Sequence, residues 1–178
     1  MQPVRAFPLA DAILLSFSSC LGADYTAYRN HVCRDLNFFM ALADVTVLPI
    51  SVEIAAAFHD MGIWSHHTLD YLQPSLALAR AYLTEHALDA LEPEVSTLID
   101  EHHKISEYTG PFALHTEAFR RADLVDLSLG LLRFGMSPTW VGGVRDVFPN
   151  SGFHKRLAML SARQFLQAPL RPFPMVHW

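Results

Sequence analysis

Cysteine is scarce in this chain: Cys20 and Cys33 are the only two in 178 residues. Neither sits in a CxxC pair, so a disulfide framework of the kind that staples small secreted domains is excluded. The expectation is two reduced thiols in an intracellular, cytoplasmic protein. Excess positive charge is missing as well. Thirteen Lys and Arg stand against eighteen Asp and Glu, a formal charge of −5, which argues against a nucleic-acid backbone as the main partner. A small acidic ligand remains compatible, because a local group of Lys and Arg can oppose the net sign. No apolar run approaches the length needed to span a bilayer, so no membrane partner is expected. Alternating strand patterns are nearly absent too, which leaves an all-α fold as the reading.

Half of the residues are hydrophobic and 17% are charged, enough apolar material for one well-packed domain spanning 1–178. Residues 5–22 have some look of a secretory apolar region, but Asp11 interrupts it and no A-x-A site follows. Ala12, Leu15, Ser16 and Ser19 recur at helical spacing, with Gly22 as a stop, so a first helix is expected over 9–20. Further helical patterns cover 24–42, 51–60, 74–87, 93–105, 115–132 and 152–166. The punctuation agrees: Pro49 and Ser51 open one helix, Gly62 closes it, and Pro74 and Pro93 suit first turns. The proline-rich tail, 167–178, is expected to run extended over the surface.

Histidine and aspartate occupy the faces that should be buried. In the second helix Tyr28, His31, Val32, Asp35, Leu36 and Phe39 share one stripe by i, i+3, i+4 spacing. His59 and Asp60 close the apolar helix 51–60. Val95, Leu98, Ile99 and His102 form another stripe, with His103 beside it. Phe119, Ala122, Asp123, Asp126 and Leu127 form a fourth. A buried carboxylate is costly unless something compensates it. Asp35 and Asp126 have Arg34 and Arg133 within reach as partners, and a lone core histidine is usually satisfied by a carbonyl. Several helices directing such groups inward together point instead to a divalent cation held by imidazole and carboxylate.

The order of these residues resembles the HD-domain superfamily of metal-dependent phosphohydrolases, whose pattern is H…HD…D on a helical bundle. YRNHVCRDLNF, EIAAAFHDMGIW and FRRADLVDLS carry the resemblance, over roughly residues 24–132. It implies that His31, His59, Asp60 and Asp123 bind one metal, drawn from Mn, Fe, Co, Ni or Mg. Members with two metals carry further histidines, and IDEHHKIS resembles the later of these, which makes His102 and His103 candidates. The earlier one is replaced by Gln73 in YLQPSLALA, so one metal is favoured over two. Ile63 stands where several branches place a phosphate-contacting lysine.

The function implied is hydrolysis of a phosphoester of a small molecule or nucleotide by metal-activated water. Asp60, Asp126, Asp35 and His102 are candidates for proton handling or direct catalysis. Lys104, Arg120, Arg121 and Arg133 are candidate phosphate contacts, and Trp64, Trp140, His66 and His67 candidate substrate contacts. Two other chemistries stay open: a di-iron oxygenase of the same superfamily, and hydration of a nitrile-like molecule. A non-catalytic metal-binding or sensor domain is the remaining alternative. Oligomeric state is not legible.

Overall fold

The computed structural model describes residues 2–170 and 174–176, with no side-chain description for Gln167. Residues 171–173 and 177–178 of the proline-rich tail lie outside the described residues. Among the described residues ten α-helices follow one another, with two short 3-10 turns at 22–24 and 89–91, and there is no strand. They are α1 (Pro8–Ser16), α2 (Ser18–Leu21), α3 (Tyr25–Leu42), α4 (Ile50–Phe58), α5 (Gly62–Ser65), α6 (Leu72–Glu85), α7 (Glu92–Glu101), α8 (Ala113–Leu127), α9 (Pro138–Val147) and α10 (Phe153–Gln167). The class is all-α.

α3 is the central helix. From Ala27 to Met40 every residue except Arg29 is buried, the pattern of a helix surrounded on all sides. It packs most extensively against α8, and α4, α1 and α9 complete its surroundings. The expected stripe of Tyr28, His31, Val32, Asp35, Leu36 and Phe39 is fully enclosed. α4 and α7 lie side by side, with α6 across both.

Several expectations need correction. The first helix breaks at Phe17, and its buried face is Ala10, Ile13 and Leu14; Ala12, Leu15, Ser16 and Ser19 are exposed. Small residues at helical spacing misled there, because the larger Ile13 and Leu14 have more apolar area to bury. Pro8 opens α1, whose backbone N–H groups at Leu9 and Ala10 donate to Glu53 Oε1 at 2.9 and 3.0 Å. At α4, Pro49 takes the N-cap and Ser51 is buried one residue inside.

Gly62 is not a left-handed stop. It begins α5, and an added Cβ would collide with the Tyr71 carbonyl and Pro74. Glycine is required there for close approach of α5 and α6.

α9 went unforeseen, its periodicity diluted by Gly142 and Gly143. The signal was Ser137-Pro138, an N-cap followed by proline: the Ser137 hydroxyl accepts from Trp140 N–H at 3.1 Å. In the tail, Met175 is buried rather than laid over the surface. Cys20 and Cys33 are both thiols. Burial pushes Cys33 up to about 12, which keeps it unreactive.

Candidate metal centre

α4 ends at Phe58 and α7 at Glu101, so His59 and His102 stand just past the last helical residue of each. There the terminal carbonyls have no intrahelical donor. His59 Nδ1–H donates to the Ala56 carbonyl at 2.8 Å, and His102 Nδ1–H to that of Ile99 at 2.6 Å. His31, from the middle of α3, donates Nδ1–H to Asp126 Oδ2 at 2.7 Å. A carbonyl or an ionised carboxylate can only accept, so each ring carries its proton on Nδ1 and turns the Nε2 lone pair inward. That arrangement is how metal-binding histidines are held.

The inward atoms converge. Nε2 of His31 and Nε2 of His59 are 3.0 Å apart. From His31 Nε2, Asp35 Oδ2 is at 3.2 Å, Asp60 Oδ2 at 3.6 Å and Asp123 Oδ1 at 3.7 Å. Asp60 Oδ2 is also 3.6 Å from His59 Nε2, while its Oδ1 faces His102 Nε2 at the same distance. Asp60 thus looks two ways. His103 is tied to the Tyr71 hydroxyl through Nε2 at 2.5 Å, leaving Nδ1 3.7 Å from Asp123 Oδ2.

Both oxygens of Asp35, Oδ1 of Asp60, Nε2 of His102 and Oδ2 of Asp123 are buried without a hydrogen-bond partner among the described residues. Orphaned carboxylate oxygens and ring lone pairs gathered at one point are costly as they stand. Three groupings within this set offer ligand atoms all within 4.8 Å of one another: His31, Asp35, His59 and Asp123; His59, Asp60 and His102; and His102, His103 and Asp123. The donor set of neutral imidazole and carboxylate fits a divalent cation.

The electrostatics follow from burial and crowding. Burial, with the charges of Asp123 and Asp126, pushes the Asp35 carboxyl well above the carboxylate range. Burial also raises Asp123 to about 7, against the pull of His102 and His31. Burial holds His59 down to about 3, so its lone pair is available at neutral pH. For Asp60 burial opposes the charge, yet His59, His102 and His31 outweigh it and keep the carboxyl ionised.

Asp126 plays another part than proton transfer. Arg34 donates to both its oxygens, at 2.5 and 2.7 Å, and Arg145 approaches Oδ1 at 3.3 Å. With His31 also on Oδ2, its accepting capacity is used, and it positions His31 and Arg34. Phe153 stacks on the other face of His31 at 4.0 Å. Tyr28 steadies the α4 end: its hydroxyl donates to the Ala57 carbonyl at 3.1 Å and accepts from Asp60 N–H at 3.3 Å.

A cavity of about 490 Å³ reaches the centre at Asp60 and is lined also by Tyr71, His103 and Lys104. The other expected contacts lie elsewhere. Arg121 pairs with Glu117 and Glu107 on an outer groove of α8. Arg120 is buried against Glu117, and Arg133 donates to the Gly130 carbonyl. Trp64 is buried against Tyr28 and donates Nε1–H to Asp24 at 2.9 Å. His66 and His67 are exposed on the loop after α5. Gln73, on α6, lines a separate groove, and Trp140 on α9 another. Sequence reasoning missed Tyr71 and His154 as cavity walls, since neither has a spacing that marks it.

No family model, curated protein or solved structure matches this chain.

Proposed function

We propose that the cluster holds a divalent cation and that the protein is a metal-dependent hydrolase of the HD-domain type, acting on a phosphoester of a small molecule. The observation that supports this most strongly is the pair of inward Nε2 atoms of His31 and His59, 3.0 Å apart and ringed by Asp35, Asp60 and Asp123. With both Nδ1 protons committed to acceptors, the two lone pairs repel unless a cation joins them. His31, Asp35, His59, Asp60 and Asp123 would hold the ion, whose identity within Mn, Fe, Co, Ni and Mg the donor set leaves open. When bound, it supplies Lewis acidity toward a phosphoryl oxygen and a water activated for attack.

The chain's own residues do the rest. Asp60 is the carboxylate of the cluster that lines the cavity, so an arriving ester meets it first. Tyr71, His103 and Lys104 surround that point and can orient anionic oxygens. Overall, water adds to phosphorus, the ester P–O bond breaks, and the alcohol leaves with a proton beside inorganic phosphate.

One observation favours a second reading, a two-metal oxygenase: Asp60 Oδ1 faces the orphaned Nε2 of His102 at 3.6 Å, so Asp60 and His102 could help to hold a second ion. Elemental analysis of the purified protein separates the two. The hydrolase reading expects one Mn, Co, Ni, Fe or Mg per chain and phosphate release in a phosphatase panel, both lost in His59→Ala. Two irons, a redox-sensitive spectrum and oxygen uptake would transfer the assignment to oxygenation. Metal without turnover of either kind would favour a non-catalytic domain.

A further inference from the structure

We propose that the substrate has a compact apolar body, alkyl or aryl, joined to a single anionic end. This rests on the hydrolase reading above and deepens it. The cavity that opens on Asp60 is walled mainly by hydrocarbon: Leu124 and Leu127 of α8, Leu157 of α10, Leu69 and Met175. Apolar surface of this kind gains most from a ligand that brings apolar surface to it. At the inner end stand Asp60, Tyr71, His103 and Lys104, with His154 at the side.

The distribution of guanidinium groups narrows the class further. Multiply charged phosphates are bound where Arg side chains can grip them in bidentate fashion. Here Arg34 is committed to Asp126 and the Phe148 carbonyl, Arg120 and Arg121 to Glu117, and Arg133 to the Gly130 carbonyl. Among the described residues Lys104 is the one Lys or Arg that lines the cavity, and its ammonium lies 3.9 Å from a Glu101 carboxylate oxygen. Together with a bound cation, that one partly neutralised ammonium suits a single phosphoryl group. Among the described residues Tyr71 is the one large aromatic ring in the wall, and it is tied to His103.

The test compares 1-naphthyl phosphate with glycerol phosphate and AMP on the Mn-loaded full chain, by calorimetric binding and by phosphate release. Naphthyl phosphate is expected to bind about tenfold or more tightly than either, as its extra buried carbon surface requires. Leu127→Asn with Leu157→Asn, at two half-buried positions, should bring the ratio near one while Mn content and melting temperature hold. A ratio near one in the unaltered protein, or one that survives both substitutions, sinks the proposal. Binding of 1-naphthol to the metal-free chain isolates the cavity from the centre. If Mn does not bind but 1-naphthol does, and the double variant abolishes it, the apolar-body assignment stands and the metal reading fails.

Discussion

His59 and His102 hold the same station at the ends of two different helices. Each stands one residue past its helix, each donates Nδ1–H to the carbonyl three residues back, and the rings meet nearly edge to face with centroids 5.0 Å apart. Two carbonyls that the helix geometry strands are satisfied by the rings. The same bonds aim both Nε2 atoms at Asp60. The negative ends of the α4 and α7 dipoles therefore converge where the carboxylates do, and both favour a cation between them.

Asp35 provides the first prediction. It is enclosed, its oxygens have no hydrogen-bond partner, and its carboxyl is raised by burial and by Asp123. Asp35→Asn should weaken Mn binding by about 10–100-fold, the usual scale for losing a group that holds the metal site. The metal-free variant should melt above the unaltered protein, because a buried carboxylate has been removed from a crowd of like charges. Calorimetric titration and a melting curve check the two halves; unchanged affinity would remove Asp35 from the ligand set.

Metal affinity should depend steeply on pH below 7. In the metal-free protein burial pushes the Asp123 carboxyl up to about 7 and raises Asp35 as well, so a cation must displace protons from them. Displacement costs more as pH falls, and affinity drops by about tenfold per pH unit for each proton released. His59, held at about 3, adds no competition in this range. Titrations from pH 5.5 to 8 should show affinity rising with pH, with proton release measurable in two buffers of different ionisation enthalpy. A flat profile would contradict the raised carboxyls.

Asp126 and Asp60 should separate stability from metal binding. Asp126→Ala leaves the Arg34 guanidinium buried without its carboxylate, which costs about 3–5 kcal/mol given that both side chains are enclosed. Asp60→Ala removes a carboxylate whose neighbours are mainly the other cluster residues, and should leave the metal-free stability nearly intact while abolishing metal binding. Urea unfolding of the metal-free variants decides this. Equal losses for the two would mean that the Arg34 pair is not the stabilising link.

Glycine substitutions should differ by position. Gly62→Ala forces α5 away from Tyr71 and Pro74, at a cost of about 1–3 kcal/mol, and disturbs Asp60 two residues before it. Gly142→Ala and Gly143→Ala meet nothing within 4 Å inside α9 and should gain about 0.5–1 kcal/mol each from helix propensity. Thermal unfolding and Mn titration of the three variants read both effects.

The helices of the centre were legible because periodicity and burial agreed there. On α3 the stripe of Tyr28, His31, Asp35 and Phe39 stands out even though the helix is buried nearly all round. Spacing turned His31, Asp123 and their neighbours inward, but it was the resemblance to the H…HD…D pattern that singled out His31, His59, Asp60 and Asp123 as a set; the structure brings these four side chains together. Asp35 was seen facing inward, but the spacing alone could not say that its oxygens join the cluster. Arg34 and Asp126 were legible as possible partners, whereas the threefold use of Asp126 by Arg34, Arg145 and His31 depends on α9 and on how α3 and α8 cross. Trp64, Arg121 and His67 are not among the described residues that line the cavity, since nearness in sequence to the cluster says nothing of side-chain direction. Trp64, four residues after Asp60, points toward Asp24 instead.

Asp60 and His103 are the cluster members that line the cavity, while His31, Asp35 and His59 are sealed behind them by a helix packed on every side. Freeing an ion rearward would require opening the middle of the domain, an event about as rare as global unfolding. On the hydrolase reading, ion and substrate would share one doorway. A molecule seated there closes the exit, so the residence time of the metal should lengthen whenever the protein is occupied, and the chelator-resistant fraction becomes a measure of how full the doorway is.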